Sequence, residues 1–273
     1  MTKLFILIST IDERISNLKN IIQAPDENVV YVVSHQVTEE IREDVKEYIE
    51  SICEREDVRY ASLTGSGVAK NRNNTLRFVK PGLICLILDD DIVLCEDAFR
   101  TVRETFDKNP TARFISFKIL NTNGDDYKPY PQKKKWHTLS TLTSIGTTEM
   151  AFKSDLIFEN DIRFDERFGP GAQDYPLGED YIFAMDIYRL KVKMLFMPIP
   201  IVMHPPGSTG GSLDEKIIFA RGAVFARVFG SLSYLIDIYF SLKKRKYYHS
   251  KYSVYDYIKL MISGSFDFRR EKK

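Results

Sequence analysis

Short apolar runs alternate with helical stripes through the first ninety residues, and this alternation narrows the possible folds more than any other feature. Leu4 to Ile8 is continuously apolar and ends in Ser9-Thr10, the pattern of a strand buried on both faces. Glu13 to Ile22 then places Ile15, Leu18, Ile21 and Ile22 on one helical stripe, which Pro25 ends. Val29 to Val33 reads as a second strand, followed by Ser34-His35-Gln36. Thr38 suits the cap of a helix in which Ile41, Val45, Tyr48, Ile49 and Ile52 recur. Val58 to Leu63 is a third strand, Gly65-Ser66-Gly67 a break, Val68 to Phe78 a helix and Leu83 to Leu88 a fourth strand. This order implies an α/β fold with a parallel sheet and helices on both faces. Ligands of such sheets bind beyond the carboxyl ends of the strands. Ser9 to Arg14, Ser34 to Gln36 and the residues after Leu88 therefore converge on one rim.

The second half is less regular. A helix ends at Asp107 to Pro110, and strands are expected at Ala112 to Phe117 and near Glu149 to Phe152. The polar stretch Asn121 to Trp136, with Pro129, Pro131 and three consecutive lysines, suits a loop over a site. Gly178-Glu179-Asp180 opens a helix to about Leu190, and two short apolar segments, Met194 to Met197 and Ile199 to Met203, lead into His204. Ile217 to Leu242 reads as one helix. A division follows: a domain over 1–215 and a helical, basic extension over 216–273.

A formal net charge of +1 gives no case for nucleic acid as a partner. The basic residues do concentrate at the end, where ten Lys/Arg stand against three Asp/Glu from Lys243 onward. Cys53, Cys85 and Cys95 have no metal-ligand spacing, and such scattered thiols suit a reducing compartment. The start lacks the pattern of a signal peptide, and no run reaches ~18 uninterrupted apolar residues, so a cytoplasmic protein without a spanning helix is expected.

Asp89-Asp90-Asp91 follows the apolar fourth strand. Three adjacent carboxylates repel one another unless a cation or several N–H donors compensate. Side chains alternate along a strand, so Asp89 and Asp91 suit a shared divalent ion such as Mg²⁺ or Mn²⁺; the other reading is a solvated turn with one Asp capping a helix near Glu96. The run Leu88 to Asp91 resembles the DxD motif of GT-A-fold glycosyltransferases, in particular the inverting enzymes of family 2. Upstream, Gly65-Ser66-Gly67-Val68-Ala69-Lys70-Asn71-Arg72-Asn73 resembles that family's glycine-to-Arg-Asn segment. Downstream, Phe168-Gly169-Pro170-Gly171 and Tyr175-Pro176-Leu177-Gly178-Glu179-Asp180 are similar to its later motif ending in Glu-Asp. The resemblance covers about residues 4 to 210, and Arg221 to Gly230 more weakly.

It implies a GT-A fold, with a Rossmann-like, mostly parallel sheet flanked by helices and a helical C-terminal extension. It also implies metal-dependent, inverting transfer of a hexose from a nucleotide sugar, UDP-linked above all, to a saccharide or lipid-linked glycan in surface polysaccharide (capsule or O-antigen) synthesis. Asp91, then Asp89, would bind the metal, with His204 completing the shell, and Asp90 would meet ribose or the donor sugar. Thr10, Asp12 and Arg14 would hold the nucleoside, although Asp12 also suits a helix cap. Arg72 and Asn73 sit where an arginine either grips phosphate or pairs with the acidic run. Asp180 would be the catalytic base and Glu179 an acceptor-side group; both also suit the start of a helix. By location alone, Ser208 to Gly211 suits either a segment closing over the diphosphate or a flexible loop, and Trp136 and Tyr130 suit either stacking on an acceptor sugar or partial burial. A sugar nucleotidyltransferase is the rival enzyme, but Ser9 to Arg14 lacks its glycine-rich loop. A silent saccharide-binding protein is the non-enzymatic alternative. Aromatic residues beside Lys243-Lys244-Arg245-Lys246 suit peripheral membrane contact, and equally a helix packed on the domain with a solvated basic end.

Overall fold

The computed structural model describes residues 2–205 and 213–270. Its centre is a nine-stranded sheet in the order β3-β2-β1-β4-β8-β6-β9-β5, with β7 paired to β9. The strands are β1 Leu4–Ile11, β2 Val29–Val37, β3 Val58–Thr64, β4 Ile84–Asp89, β5 Val93–Leu94, β6 Phe114–Asn121, β7 Lys135–Trp136, β8 Met150–Lys153 and β9 Met194–His204. β1 to β4, β6 and β9 run one way; β5, β7 and β8 oppose them. The parallel block coincides with the alternating apolar runs, and the antiparallel strands are the short ones that carry little periodicity.

The apolar runs are long enough to face both ways. Leu4, Ile6 and Ile8 of β1 share a core with Tyr31, Val33, Leu86, Leu88, Ile115 and Phe117 of its neighbours. Onto that face pack Ile15 and Leu18, Val45 and Ile52 of helix α1 (Glu43–Cys53), and Phe99, Val102 and Phe106 of α3 (Ala98–Lys108). On the opposite face Phe152 of β8 meets Phe183, which also stacks on Phe164 at 4.1 Å. Phe183 belongs to α5 (Glu179–Arg189). α2 covers Val68–Leu76 and α4 Asp155–Asn160.

Several boundaries differ from the sequence reading. β1 and β2 run three and four residues further, so Ser9, Thr10, Ser34, His35 and Gln36 lie within the sheet and are buried. The stripe after β1 is a 3-10 segment, Asp12–Asn20, which starts from a left-handed Asp12. Thr38 does not cap α1, which begins five residues later after Arg42. Met194 to His204 is one strand, whose register against β6 shifts around Lys118, opposite Pro200; the prolines cannot donate to the ladder there.

Ile217 to Leu242 is not one helix. Gly230, with φ of +59°, and a short 3-10 turn to Leu232 separate α6 (Glu215–Phe229) from α7 (Ser233–Tyr248), and α8 (Val254–Arg270) follows.

The chain forms two compact units. The first holds the sheet, with residues 2–66, 70–164 and 183–205; the second takes 67–69, 165–182 and 213–270. In the second unit α6 and α8 touch backbone to backbone. A Cβ added at Gly222 would lie 1.9 Å from the Met261 carbonyl oxygen, and one at Gly264 1.8 Å from that of Phe219. Only glycine permits this approach at either position.

Candidate functional site

Strand register assembles the rim of the first unit. Ser9 of β1 lies between Ser34 of β2 and Asp89 of β4, and Thr10 is level with His35. At the far side His204 ends β9, opposite Asn121 of β6. The acidic triplet leaves β4 at this edge, and each of its carboxylates has its own counter-group.

Asp89 accepts from Arg72 Nη2 at 2.8 Å. Arg72 is buried within α2, and its guanidinium carbon lies 5.6 Å over the Phe164 ring. Asp90 turns inward, with 3% of its surface exposed, and accepts from the Thr10 hydroxyl at 2.6 Å and from Arg14. Burial pushes the Asp90 carboxyl above its ordinary range despite those two donors. Asp91 accepts from Arg14 at 3.0 Å and faces His204 Nε2 at 3.3 Å. The His204 contact, chiefly, holds Asp91 below the usual carboxylate range, and Asp91 in turn raises the imidazole. His204 Nδ1 lies 2.6 Å from the Pro205 carbonyl oxygen, so it donates there and Nε2 is the nitrogen presented to Asp91.

The repulsion expected within the triplet is thus met by two guanidiniums, a hydroxyl and an imidazole. Arg72 takes the ion-pairing option. No helix near Glu96 is capped by the run, since α3 starts after Asp97. Among the described residues no three His, Cys, Asp or Glu side chains converge as a ready cation cage. Asp91 and His204 are the pair whose atoms face each other, while Asp89 and Asp90 are turned to their own partners.

Asp12 spends its carboxylate on Thr38, accepting from the backbone N–H and the hydroxyl, each at 2.6 Å. It caps the turn after β2 and not its own 3-10 segment. Burial opposes its charge, but the Thr38 bonds outweigh that and hold it below its ordinary value. Asn73 also has a structural role, since its amide donates to the Phe164 carbonyl at 2.9 Å and accepts the Phe164 N–H at 2.8 Å.

Three residues here have roles that the sequence did not assign. Asn71 donates to the Thr10 carbonyl and Asn74 to the Ser34 hydroxyl, both at 2.8 Å, fastening α2 to β1 and β2. His35, fully buried, donates from Nε2 to the Asp12 carbonyl at 2.8 Å and lies 2.9 Å from the Tyr60 hydroxyl. Burial lowers its pKa and keeps it neutral at pH 7. The run Asn71-Arg72-Asn73-Asn74, four polar residues inside a helix, was the available signal. Ser9 Oγ and Asn71 Oδ1 are buried without a hydrogen-bond partner among the described residues.

Glu179 and Asp180 lie in the second unit, at the first turn of α5. Gly169, with φ of +106°, leaves room that a Cβ would close: the Glu179 carboxyl would lie 2.9 Å from it. Gly178, with φ of +100°, abuts Val224 of α6 so closely that a Cβ would approach to 2.3 Å. Asp180 Oδ1 accepts the Tyr181 N–H at 2.6 Å, in the first turn of the helix. The motif rests on the later helices. Phe168 and Tyr175 stack at 4.8 Å, Phe268 packs on both, and the Tyr175 hydroxyl donates to Asp267 at 3.0 Å.

Trp136 is not brought to the triplet. It pairs with Leu195, nine residues before His204 on β9, which is about 25–30 Å along a strand. There it edges a cavity of about 220 Å³ with Lys128, Tyr130, His137 and buried Glu149. Tyr130 stacks on Phe196 and donates to Glu149 at 3.2 Å. The expected closing segment, Ser208 to Gly211, lies outside the described residues.

No curated protein sequence matches the chain. Residues 1–349 of TarS from S. aureus superpose with a TM-score of 0.63 at 14% identity, covering 97% of this chain and 83% of that one. TarS in complex with UDP-GlcNAc superposes at 0.65 and 16% identity, covering 97% and 80%. TarS in complex with UDP gives 0.61 at 15% identity, covering 92% and 75%. These likenesses establish the GT-A fold. The profile described as "Glycosyltransferase like family 2" matches residues 11–218, more than half of the chain. The sheet, its acidic rim and the matched span lead to one assignment: the chain belongs to the family 2 glycosyltransferases.

Proposed function

We propose that this glycosyltransferase moves a hexose from a UDP-linked sugar to a saccharide or lipid-linked glycan acceptor, with inversion, in surface polysaccharide synthesis. The observation that carries the reading is the rim itself: three carboxylates at the end of β4, with Asp91 and His204 face to face. TarS, similar in fold, is seen with UDP and with UDP-GlcNAc, which favours a uridine donor. Under this reading the enzyme works in the cytoplasm.

A divalent cation, Mn²⁺ or Mg²⁺, fits the donor set in part. Asp91 and His204 would hold it, with Asp89 released from Arg72 as a third ligand. The remaining positions would go to diphosphate oxygens and water, as hard cations of this kind accept. Once bound, it supplies charge neutralisation for the departing nucleoside diphosphate. The protein's own part is positional. Arg72, freed from Asp89, is placed to meet phosphate with two parallel N–H donors. Arg14, half-exposed between Asp90 and Asp91, can turn to the donor in the same way. Thr10 fixes Asp90, and Asp12 fixes the turn beside the nucleoside end. Ser9 Oγ and Asn71 Oδ1 add unsatisfied polar atoms at the rim.

Asp180 would take the proton from the acceptor hydroxyl as its oxygen attacks the anomeric carbon, and Glu179 would orient the acceptor. Trp136 would serve as a distal platform for an extended acceptor, given its distance along β9.

Two substitutions test the reading. Asp91→Asn is expected to remove the Mn²⁺-dependent rise in melting temperature that UDP causes in the wild type. Asp180→Asn is expected to keep that rise and lose transfer by ~100-fold or more. Unchanged turnover of UDP-sugar in both variants would overturn the mechanism.

A further inference from the structure

Helix α7 is built inside out. It buries Ser233, Asp237 and Ser241, each fully shielded, at four-residue spacing, and Tyr248 at its end. Its outward face carries Leu235, Ile238, Tyr239 and Leu242, with Leu235 68% and Tyr239 63% exposed. Positions i, i+3, i+4 and i+7 form one helical stripe. A helix whose outer side faces only water shows the reverse pattern.

The interior of the three-helix unit explains the buried polar side. Ser265 of α8 is 2.6 Å from the Asp237 carboxyl and 2.8 Å from the Gly222 carbonyl. The Ser265 hydroxyl thus has two acceptors for its one proton, while Asp237 Oδ1 and Ser233 Oγ are buried without a hydrogen-bond partner among the described residues. Ser241 donates to the Asp237 carbonyl at 2.7 Å, and Tyr248 to the Ser241 carbonyl at 2.8 Å. With Gly222 and Gly264 at the α6–α8 contact, small residues and internal hydrogen bonds join an interior that also holds Tyr248, Tyr257, Met261 and Phe268, and α7 turns an apolar face outward. Helices that contact lipid pack in this way.

Charge selects the partner. The stripe runs directly into Lys243, Lys244, Arg245 and Lys246 in the last two turns of the same helix. Lys243 lies 5.6 Å over Tyr239 and Lys244 4.9 Å over Tyr247, so cations and amphipathic rings share one border. Apolar residues and tyrosine beside clustered lysine are the makeup of a helix lying in the interface of an anionic bilayer. The stretch Glu215–Tyr248 is apolar enough by length and composition to cross a membrane. Two features oppose crossing. Ile217, Ile218 and Val224 of α6 are buried inside the unit, and the Gly230–Leu232 turn interrupts the run. α7 alone has 16 residues, short of the ~20 that span a bilayer core.

We propose that the Leu235–Ile238–Tyr239–Leu242 face of α7, with the lysines that follow it, seats the protein on an anionic lipid surface, the helix lying in the plane of the membrane. The inference stands apart from the glycosyl-transfer reading, because none of its residues belongs to the acidic rim or to the Glu179-Asp180 motif.

Vesicle flotation of the full chain tests it, using phosphatidylcholine with and without phosphatidylglycerol. The wild type is expected to float with the phosphatidylglycerol vesicles and to bind at least ~10-fold less to the neutral ones. The exposed-face variant Leu235→Glu/Leu242→Glu is expected to lose flotation at an unchanged melting temperature. The variant Lys243→Gln/Lys244→Gln/Lys246→Gln is expected to lose at least ~10-fold and to show a weaker salt dependence. Equal flotation of wild type and Leu235→Glu/Leu242→Glu would overturn the proposal. So would a wild type that does not float but forms a dimer which that variant dissociates, since a second copy would then cover the face.

Discussion

At the scale of single residues, the rim works by assigning each carboxylate a partner. Asp90 is the clearest case, since it is the buried member and depends on two donors from the end of β1 and just beyond. Thr10→Val keeps the shape and removes the hydroxyl that reaches Asp90 at 2.6 Å. A buried carboxyl left one donor short costs about 1–3 kcal/mol. The expected result is a lower urea midpoint with an unchanged slope, and Thr10→Ser should restore most of it. The identity of Asp89, Asp90 and Asp91 as a group was legible from the sequence because acids after an apolar strand are costly without compensation. Which of them turns inward was not. That depends on the register of β1 against β4, and on β1 running to Ile11 so that Thr10 reaches the rim inside the sheet. Asn73 and Asp12 carry the same lesson. Their motif positions were plain, but their side chains are committed to Phe164 and Thr38, and such long-range partners leave no mark on local sequence.

At the scale of elements, the parallel strands were legible and the C-terminal helices were not. β1, β2 and β4 carry continuous apolar runs, β3 is a mixed edge strand, and turn residues separate them, so period and length fix their type. α7 has no such signature, because its polar side is inside. In the sequence its leucines and tyrosines continue the apolar run of α6, and Gly230 alone marks the break between the two helices. Asp237 makes the inversion measurable. Burial pushes its carboxyl up from 3.8 to about 7, with the Ser265 hydrogen bond offsetting part of that rise. The folded state therefore holds a proton that the unfolded chain releases between these values. Its contribution is fully present below pH ~4, declines as pH rises and is lost by about pH 7–8. The whole span amounts to about 4 kcal/mol. Asp237→Asn, which can donate to Ser265 at every pH, should flatten this dependence. Denaturation at pH 5 and pH 8 checks it: the wild type is expected to be less stable at pH 8, and the variant nearly equal at both.

At the scale of the whole molecule, the second unit gathers segments from distant parts of the chain. Residues 165–182, with Glu179 and Asp180 at their end, belong with α6, α7 and α8. Gly178 fits against Val224, Tyr175 binds Asp267, and Asp165 pairs with Arg227 at 2.7 Å and with Arg167 at 2.7 Å. A chain ending at Asp214 lacks Val224, Arg227, Asp267 and Phe268. Its residues 165–182 are expected to lose hydrogen-exchange protection while β1 to β4 keep theirs, and peptide-level exchange resolves the two regions. Contacts of this separation cannot be inferred from a motif, because Phe168 and Phe268 are a hundred residues apart.

The close fit of Gly178 against Val224, and of Tyr175 against Asp267, also sets an order of events during synthesis. The ribosome releases β1 to β4 with the acidic triplet first, then the Glu179-Asp180 turn, then β9 with His204, and the side chains that brace the turn emerge only with α6 and α8. A nascent chain can therefore pair its parallel strands and present its acidic edge well before the Glu179-Asp180 turn is fixed, and α8 supplies the later of that turn's braces.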